Sequence, residues 1–222
     1  MNVTFSTPAP VRTLESGAPK GSAKAGGVLI HGRDRTPEEM VELAERFRLD
    51  GIRWLAPAAE HGSWYPRRFM DPVISHEPYL TRAIDICDRE LYDAIEEGRL
   101  GPGQLVLAGF SQGACIAIEY ALRHPGRCGT LLVFTGGFFG PPVTYNWTIS
   151  DKTLTGTRVF ITGSDADEWV PEERVHQTAQ VLEDMGADVR MRIYKGRPHI
   201  VSDEEIAEAR EFVAASLWLG LK

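Results

Sequence analysis

The sequence predicts an α/β protein: a mostly parallel sheet with helices packed on both faces. Three observations carry this. Apolar runs of strand length recur at residues 27–30, 52–56, 105–110, 129–134 and 158–162. Stretches with apolar residues at helical spacing separate most of these runs, the alternation that builds parallel βαβ units. At 222 residues and 43% hydrophobic the chain can bury a full core, and nothing in it suggests a second one, so residues 1–222 read as a single domain.

Taken in order, the chain opens with weak β character over residues 3–15, broken by Pro8 and Pro10. Residues 1–25 are therefore expected to form an edge strand or arm followed by a Gly-containing connection. The run 27–30 ends at His31-Gly32-Arg33-Asp34-Arg35. Thr36-Pro37-Glu38-Glu39 is a helix start, with Thr as N-cap and Pro at the first helical position. Met40, Leu43, Ala44 and Phe47 put one face of that helix on the sheet. Over 57–77 periodicity vanishes and aromatics accumulate, so this segment is expected to be a loop at the site of function. Helical spacing returns over 79–97, closed by Gly98 and Gly101.

The strand 105–110 drives directly into Gly109-Phe110-Ser111-Gln112-Gly113, and a helix-compatible stretch, 114–122, follows. That is the setting a G-x-S-x-G nucleophile elbow requires: a serine on a strained strand-to-helix turn, flanked by glycines that leave room for neighbouring backbone. Further along come a helix over 172–185, an alternating strand over 189–194 expected to be exposed on one face, and a helix to about 217 begun by Ser202-Asp203-Glu204-Glu205.

Chemistry in such sheets sits at the carboxyl ends of the strands. The strand exits here carry His31-Gly32-Arg33, Ser111, Asp165 with Asp167, and His199. A serine hydroxyl is a poor nucleophile at neutral pH. It needs an imidazole to take its proton and a carboxylate to orient that imidazole. Of six histidines, only His199 lies between the last strand and the last helix. His124 ends the elbow helix, His176 lies within a helix, His61 and His76 belong to the aromatic loop, and His31 lies in a glycine turn where a backbone role is expected. Spacing does not choose between Asp165 and Asp167. The backbone N–H groups of Arg33 and Gln112 are the expected oxyanion donors.

The net charge of −7 argues against nucleic acid or an anionic membrane as the main partner and favours small molecules. No apolar stretch is long enough to span a bilayer, and residues 1–10 lack the features of a secretory signal, so a cytoplasmic location is expected. Cys87, Cys115 and Cys128 have no metal-like spacing and read as buried free thiols.

These residues resemble the phospholipase/carboxylesterase family of α/β-hydrolases, which includes bacterial carboxylesterases and acyl-protein thioesterases. The resemblance runs from about residue 26 onward. It rests on His31-Gly32, on Gly109-Phe110-Ser111-Gln112-Gly113-Ala114, on Asp167-Glu168-Trp169-Val170-Pro171 and on Gly196-Arg197-Pro198-His199. It implies a single-domain α/β-hydrolase without a separate cap, acting on carboxylic esters, or on acyl thioesters or lysophospholipids, through an acyl-enzyme. It further implies Ser111, Asp167 and His199 as the catalytic set, with Asp167 preferred over Asp165 by its distance from the Val-Pro pair, and neither metal nor organic cofactor. Trp64, Tyr65, Phe69, Phe138 and Trp169 are the expected substrate walls of an open, shallow site. The family usually has Gly where this chain has Asp34, so the oxyanion loop is expected to differ if φ is positive there. The competing readings are a dienelactone-hydrolase-like lactonase, disfavoured by Ser at the elbow, and a ligand-binding protein on a hydrolase scaffold. Oligomeric state is left open.

Overall fold

The computed structural model describes residues 11–141 and 152–217. The strands are β1 (Thr13–Gly17), β2 (Ala25–Ile30), β3 (Ile52–Pro57), β4 (Leu105–Phe110), β5 (Thr130–Phe134), β6 (Arg158–Gly163) and β7 (Asp188–Ile193). They form one sheet in the order β1-β3-β2-β4-β5-β6-β7, in which β1 is antiparallel to β3 and every other pair is parallel. The helices among the described residues are α1 (Pro37–Arg46), α2 (Tyr79–Gly98), α3 (Gln112–Arg123), α4 (Glu172–Asp184) and α5 (Asp203–Leu217). Of the arm expected over residues 1–25, residues 1–10 lie outside the described residues. The remainder supplies the edge strand β1.

The central strands are buried on both faces, and their period of two sorts side chains into two cores. Val28, Leu107, Leu131, Val133, Val159 and Ile161 point to one face, where α2, α3 and α4 cover them. Leu29, Val106, Ala108, Leu132, Phe134 and Phe160 point to the other, under α1 and α5. Phe160 of β6 meets Phe212 of α5 with ring centroids 5.6 Å apart. Burial of each such ring contributes about 1.5–3 kcal/mol. The outermost strand, β7, alternates half-buried and exposed residues as expected for an edge covered on one face.

Helix starts follow their local chemistry. Thr36 Oγ1 accepts the Glu39 N–H of α1 at 3.4 Å, with Pro37 behind it and two glutamates in the first turn. At α5 the Ser202 hydroxyl accepts the Glu205 N–H at 3.2 Å, and the Glu205 carboxylate accepts the Ser202 N–H at 3.1 Å. That reciprocal pair is a capping box. Because the inner strands are parallel, the exits of β2, β4, β6 and β7 fall along one edge of the sheet, and the site is there.

Candidate active site

Ser111 sits between β4 and α3 with φ 54° and ψ −115°, a conformation a residue with a Cβ rarely adopts and which costs on the order of 1–3 kcal/mol. Its surroundings impose it. A Cβ on Gly109 would lie 2.2 Å from the Gly113 carbonyl oxygen, and a Cβ on Gly113 would lie 2.0 Å from the Ile30 carbonyl oxygen. Only glycine lets the turn close this tightly against β2. The Ser111 N–H donates to the Phe134 carbonyl at 2.9 Å, which ties the elbow to β5.

The Ser111 hydroxyl lies 2.8 Å from His199 Nε2. The other ring nitrogen, Nδ1, lies 2.8 and 3.0 Å from the two carboxylate oxygens of Asp167. Asp167 is wholly buried as a side chain, and His199 keeps 15% of its side chain exposed. Burial alone would raise the Asp167 carboxyl. Hydrogen bonds from His199 and from the Val170 and Trp169 amides outweigh it and hold the group below the ordinary carboxylate range, so it is ionised. A carboxylate there accepts the Nδ1 proton and leaves the lone pair of Nε2 facing Ser111.

Asp165, the other candidate, points elsewhere: its Oδ1 accepts the Gly196 N–H at 2.7 Å. It fastens the loop after β6 to the loop that carries His199. Ser164 adds to this, its hydroxyl donating to the Arg197 carbonyl at 2.6 Å. Arg197 is buried and anchors the same loop from within. It donates to the carbonyls of Pro198 and Ile200 and to Thr135 Oγ1, and it faces the buried Glu205 carboxylate. The His199 ring leans on Phe110 with centroids 5.1 Å apart. Sequence reasoning missed Arg197 and Glu205. Their only sequence signal is the position of an Arg two residues before the histidine and of a Glu in a cap.

Beyond β2, Asp34 has φ 57°, so the position where the family usually carries Gly does require left-handed backbone, and Asp meets the requirement. Its N–H donates to the Gly62 carbonyl at 2.8 Å. Among the described residues no acceptor engages the N–H of Arg33 or of Gln112. The latter opens α3, where the helix dipole favours negative charge. His31 acts through its side chain rather than its backbone alone. Nε2 accepts the Ala59 N–H at 2.9 Å and Nδ1 lies 2.7 Å from the Gly32 carbonyl, and burial lowers the imidazole so that it stays neutral for this task.

The side chains of Arg33 and Gln112 pin the aromatic loop. Gln112 Nε2 donates to the Tyr65 carbonyl at 2.7 Å and its Oε1 accepts the Trp64 N–H at 2.8 Å. The Arg33 guanidinium donates to the carbonyls of Tyr65, Pro66 and Arg67. Ser111 and His199 open into a cavity of about 530 Å³. Of the expected walls, Tyr65, Phe69 and Trp169 line it. Trp64 and Phe138 do not. The Trp64 indole is buried and donates to the His31 carbonyl at 2.9 Å, anchoring the loop to the body. Phe138 is buried beneath the Arg174 guanidinium, 4.2 Å from its ring centre. An aromatic in an aperiodic segment serves as anchor or wall, and only packing separates the two.

Cys115 also borders the cavity, where burial pushes its thiol up to about 11, so it is not a competing nucleophile. All three cysteines are buried free thiols. Among the described residues no group of His, Cys, Asp or Glu converges as a metal site would need.

The family profile for phospholipase/carboxylesterase matches residues 18–217. The chain belongs to the phospholipase/carboxylesterase family. A crystal structure of a phospholipase/carboxylesterase from Dyadobacter fermentans superposes with a TM-score of 0.84 at 34% identity, covering 92% of this chain and 96% of that one. An acyl-protein thioesterase 1 of Gibberella zeae is 23% identical over 86% of this chain and 89% of its own length. The acyl-protein thioesterase 1 of Eremothecium gossypii is 34% identical over 117 residues, which is 50% of this chain and only 47% of that protein. Membership makes this family member a hydrolase of the α/β-hydrolase fold. No helix among its described residues is long and apolar enough to cross a membrane.

Proposed function

We propose that this hydrolase cleaves carboxylic esters by nucleophilic catalysis with Ser111 as nucleophile, His199 as base and Asp167 as the acid that orients it. The observation that carries the reading is the unbroken hydrogen-bond chain Ser111 Oγ, His199 Nε2, His199 Nδ1, Asp167, with links of 2.8 Å. In the first half-reaction Ser111 Oγ attacks the ester carbonyl carbon while its proton passes to His199 Nε2. The N–H groups of Arg33 and Gln112 hold the resulting oxyanion. Collapse breaks the ester C–O bond, and the alcohol leaves with the proton from His199. In the second half-reaction His199 takes a proton from water, which attacks the acyl-Ser111 carbonyl. The acid departs and Ser111 regains its proton. The net change is ester plus water to acid plus alcohol.

Tyr65, Phe69 and Trp169 are assigned to substrate contact, and the 530 Å³ cavity suits small to medium acyl or alcohol groups. Relatives named acyl-protein thioesterase place acyl thioesters among the substrates to be tried. We assign the protein to the cytoplasm, where three unpaired buried thiols are stable in the reduced state. The test is covalent labelling by a fluorophosphonate probe together with hydrolysis of p-nitrophenyl butyrate. Wild type is expected to show both and Ser111→Ala neither. A wild-type protein that takes no label overturns the reading.

A further inference from the structure

The cavity that Ser111 opens into is rimmed by a segment with an uncommon electrostatic arrangement. Arg67 and Arg68 are adjacent, exposed, and both border that cavity. Neither guanidinium is paired with a carboxylate among the described residues. On a chain of net charge −7, two neighbouring cations with no carboxylate partner among the described residues stand out at the mouth of the site. Among the described residues the remaining charged groups on the cavity wall are Arg33, Asp34 and Asp71, so three guanidinium groups face two carboxylates. Arg33 spends its donors on backbone carbonyls, which leaves Arg67 and Arg68 as the cations with donors to offer.

The backbone that presents them is held from several sides. The Gln112 side chain grips Trp64 and Tyr65, and the Arg33 guanidinium bridges the carbonyls of Tyr65, Pro66 and Arg67. The Phe69 carbonyl accepts the Gly140 N–H at 2.8 Å, and the Arg68 carbonyl accepts the Asp71 N–H at 2.9 Å. Both arginines therefore project from a fixed turn, and little ordering of the main chain is needed when an anion docks. The planar fork of a guanidinium matches an oxyanion group with two parallel hydrogen bonds.

We propose that Arg67 and Arg68 make this enzyme selective for esters that carry a second, anionic oxygen group, a carboxylate or phosphate, away from the scissile bond. The proposal rests on the ester-hydrolase reading above. It adds a substrate class: the ester carbonyl meets Ser111 while the anion meets the arginine pair at the rim. The field of the whole chain repels anions, so the pair also supplies the local attraction that brings them to the mouth.

The experiment compares substrates that differ in charge. With the anion on the alcohol side, kcat/KM is measured for 4-acetoxybenzoate, 4-acetoxyphenyl phosphate and the neutral methyl 4-acetoxybenzoate. With it on the acyl side, mono-p-nitrophenyl glutarate is compared with p-nitrophenyl butyrate. The expected result is an anionic-to-neutral ratio that falls about fivefold or more in R67Q/R68Q in at least one series, and that falls in wild type when salt is raised to 0.5 M. The carboxylate and phosphate arms identify which anion is preferred. Ratios unchanged within twofold in both series overturn the proposal. Binding to Ser111→Ala, followed by intrinsic tryptophan fluorescence, separates this from a failure of the hydrolase reading. Tighter binding of the anionic esters that is lost in S111A/R67Q/R68Q supports the proposal even if turnover is absent. Equal binding of charged and neutral esters overturns it while leaving hydrolysis intact.

Discussion

The Glu205 carboxylate faces the Arg197 guanidinium at 3.7 Å, both side chains buried, directly beneath the loop that carries His199. Removing one member leaves a lone charge in the interior, so Arg197→Met and Glu205→Leu are each expected to destabilise by about 3–5 kcal/mol. The double variant is expected to lose clearly less than the sum, because neither charge then remains unpaired. Urea denaturation of all four proteins measures this, and additive losses would count against a coupled pair. Arg197 also holds the carbonyls of Pro198 and Ile200. The double variant should therefore lose kcat at least about tenfold at nearly constant KM, as expected when a proton acceptor is displaced rather than a binding wall.

The two aspartates after β6 make a clean comparison. Asp167→Asn removes the acceptor that fixes the His199 tautomer and is expected to lower kcat/KM by roughly 10³-fold or more. Asp165→Asn keeps an oxygen for the Gly196 N–H and should stay within about tenfold of wild type. Equal losses would unseat the assignment. Because hydrogen bonds hold Asp167 below its ordinary value, its contribution to stability is present above about pH 4 and disappears as pH falls through the folded value. The acid limb of unfolding should accordingly shift upward in Asp167→Asn.

Gly113→Ala puts a methyl group 2.0 Å from the Ile30 carbonyl oxygen, with backbone on both sides of the clash. Neither partner can yield without moving β2 or α3. A loss of about 3 kcal/mol or more is expected, together with loss of fluorophosphonate labelling in whatever protein remains folded. Near-normal melting temperature and labelling would mean that the elbow is looser than its geometry implies.

Burial lowers the imidazoles of both His31 and His76. Their unfolded values lie near 6.5, so between that pH and the lower folded values the unfolded chain binds more protons than the native one. The stability they confer is complete above about pH 6.5 and is lost as pH drops towards the folded values. A fall in melting temperature of at least about 3 °C between pH 7.5 and 5.5 is expected in scanning calorimetry, and His76→Leu should reduce it. A melting temperature that rises on acidification would contradict the sign.

Strand and helix placement was largely legible because the parallel strands are buried on both faces and read as continuous apolar runs, each ended by Gly, Pro or a cap. The elbow was legible for a stronger reason: Gly109 answers to a backbone clash with Gly113 four residues on, and a local constraint leaves a local motif. Ser111 and His199 could be named because chain order places them at exits of parallel strands. Asp165 and Asp167 could not be separated by spacing, since both follow the same strand and differ only in where their loop turns them. Trp64 and Phe138 were misplaced as walls for the same reason, and the structural work of Arg197 and Glu205 left almost no trace.

The sequence by itself determined the alternation of elements, the strained serine turn and the edge of the sheet where chemistry must gather, because each leaves a local pattern in the chain: apolar runs of strand length, helical spacing between them, and glycines flanking a serine. Only the tertiary structure decided which carboxylate meets the imidazole, which aromatics face the cavity, and that two adjacent arginines stand at its rim. Those outcomes depend on contacts between loops whose order along the chain carries no information about which way a side chain turns.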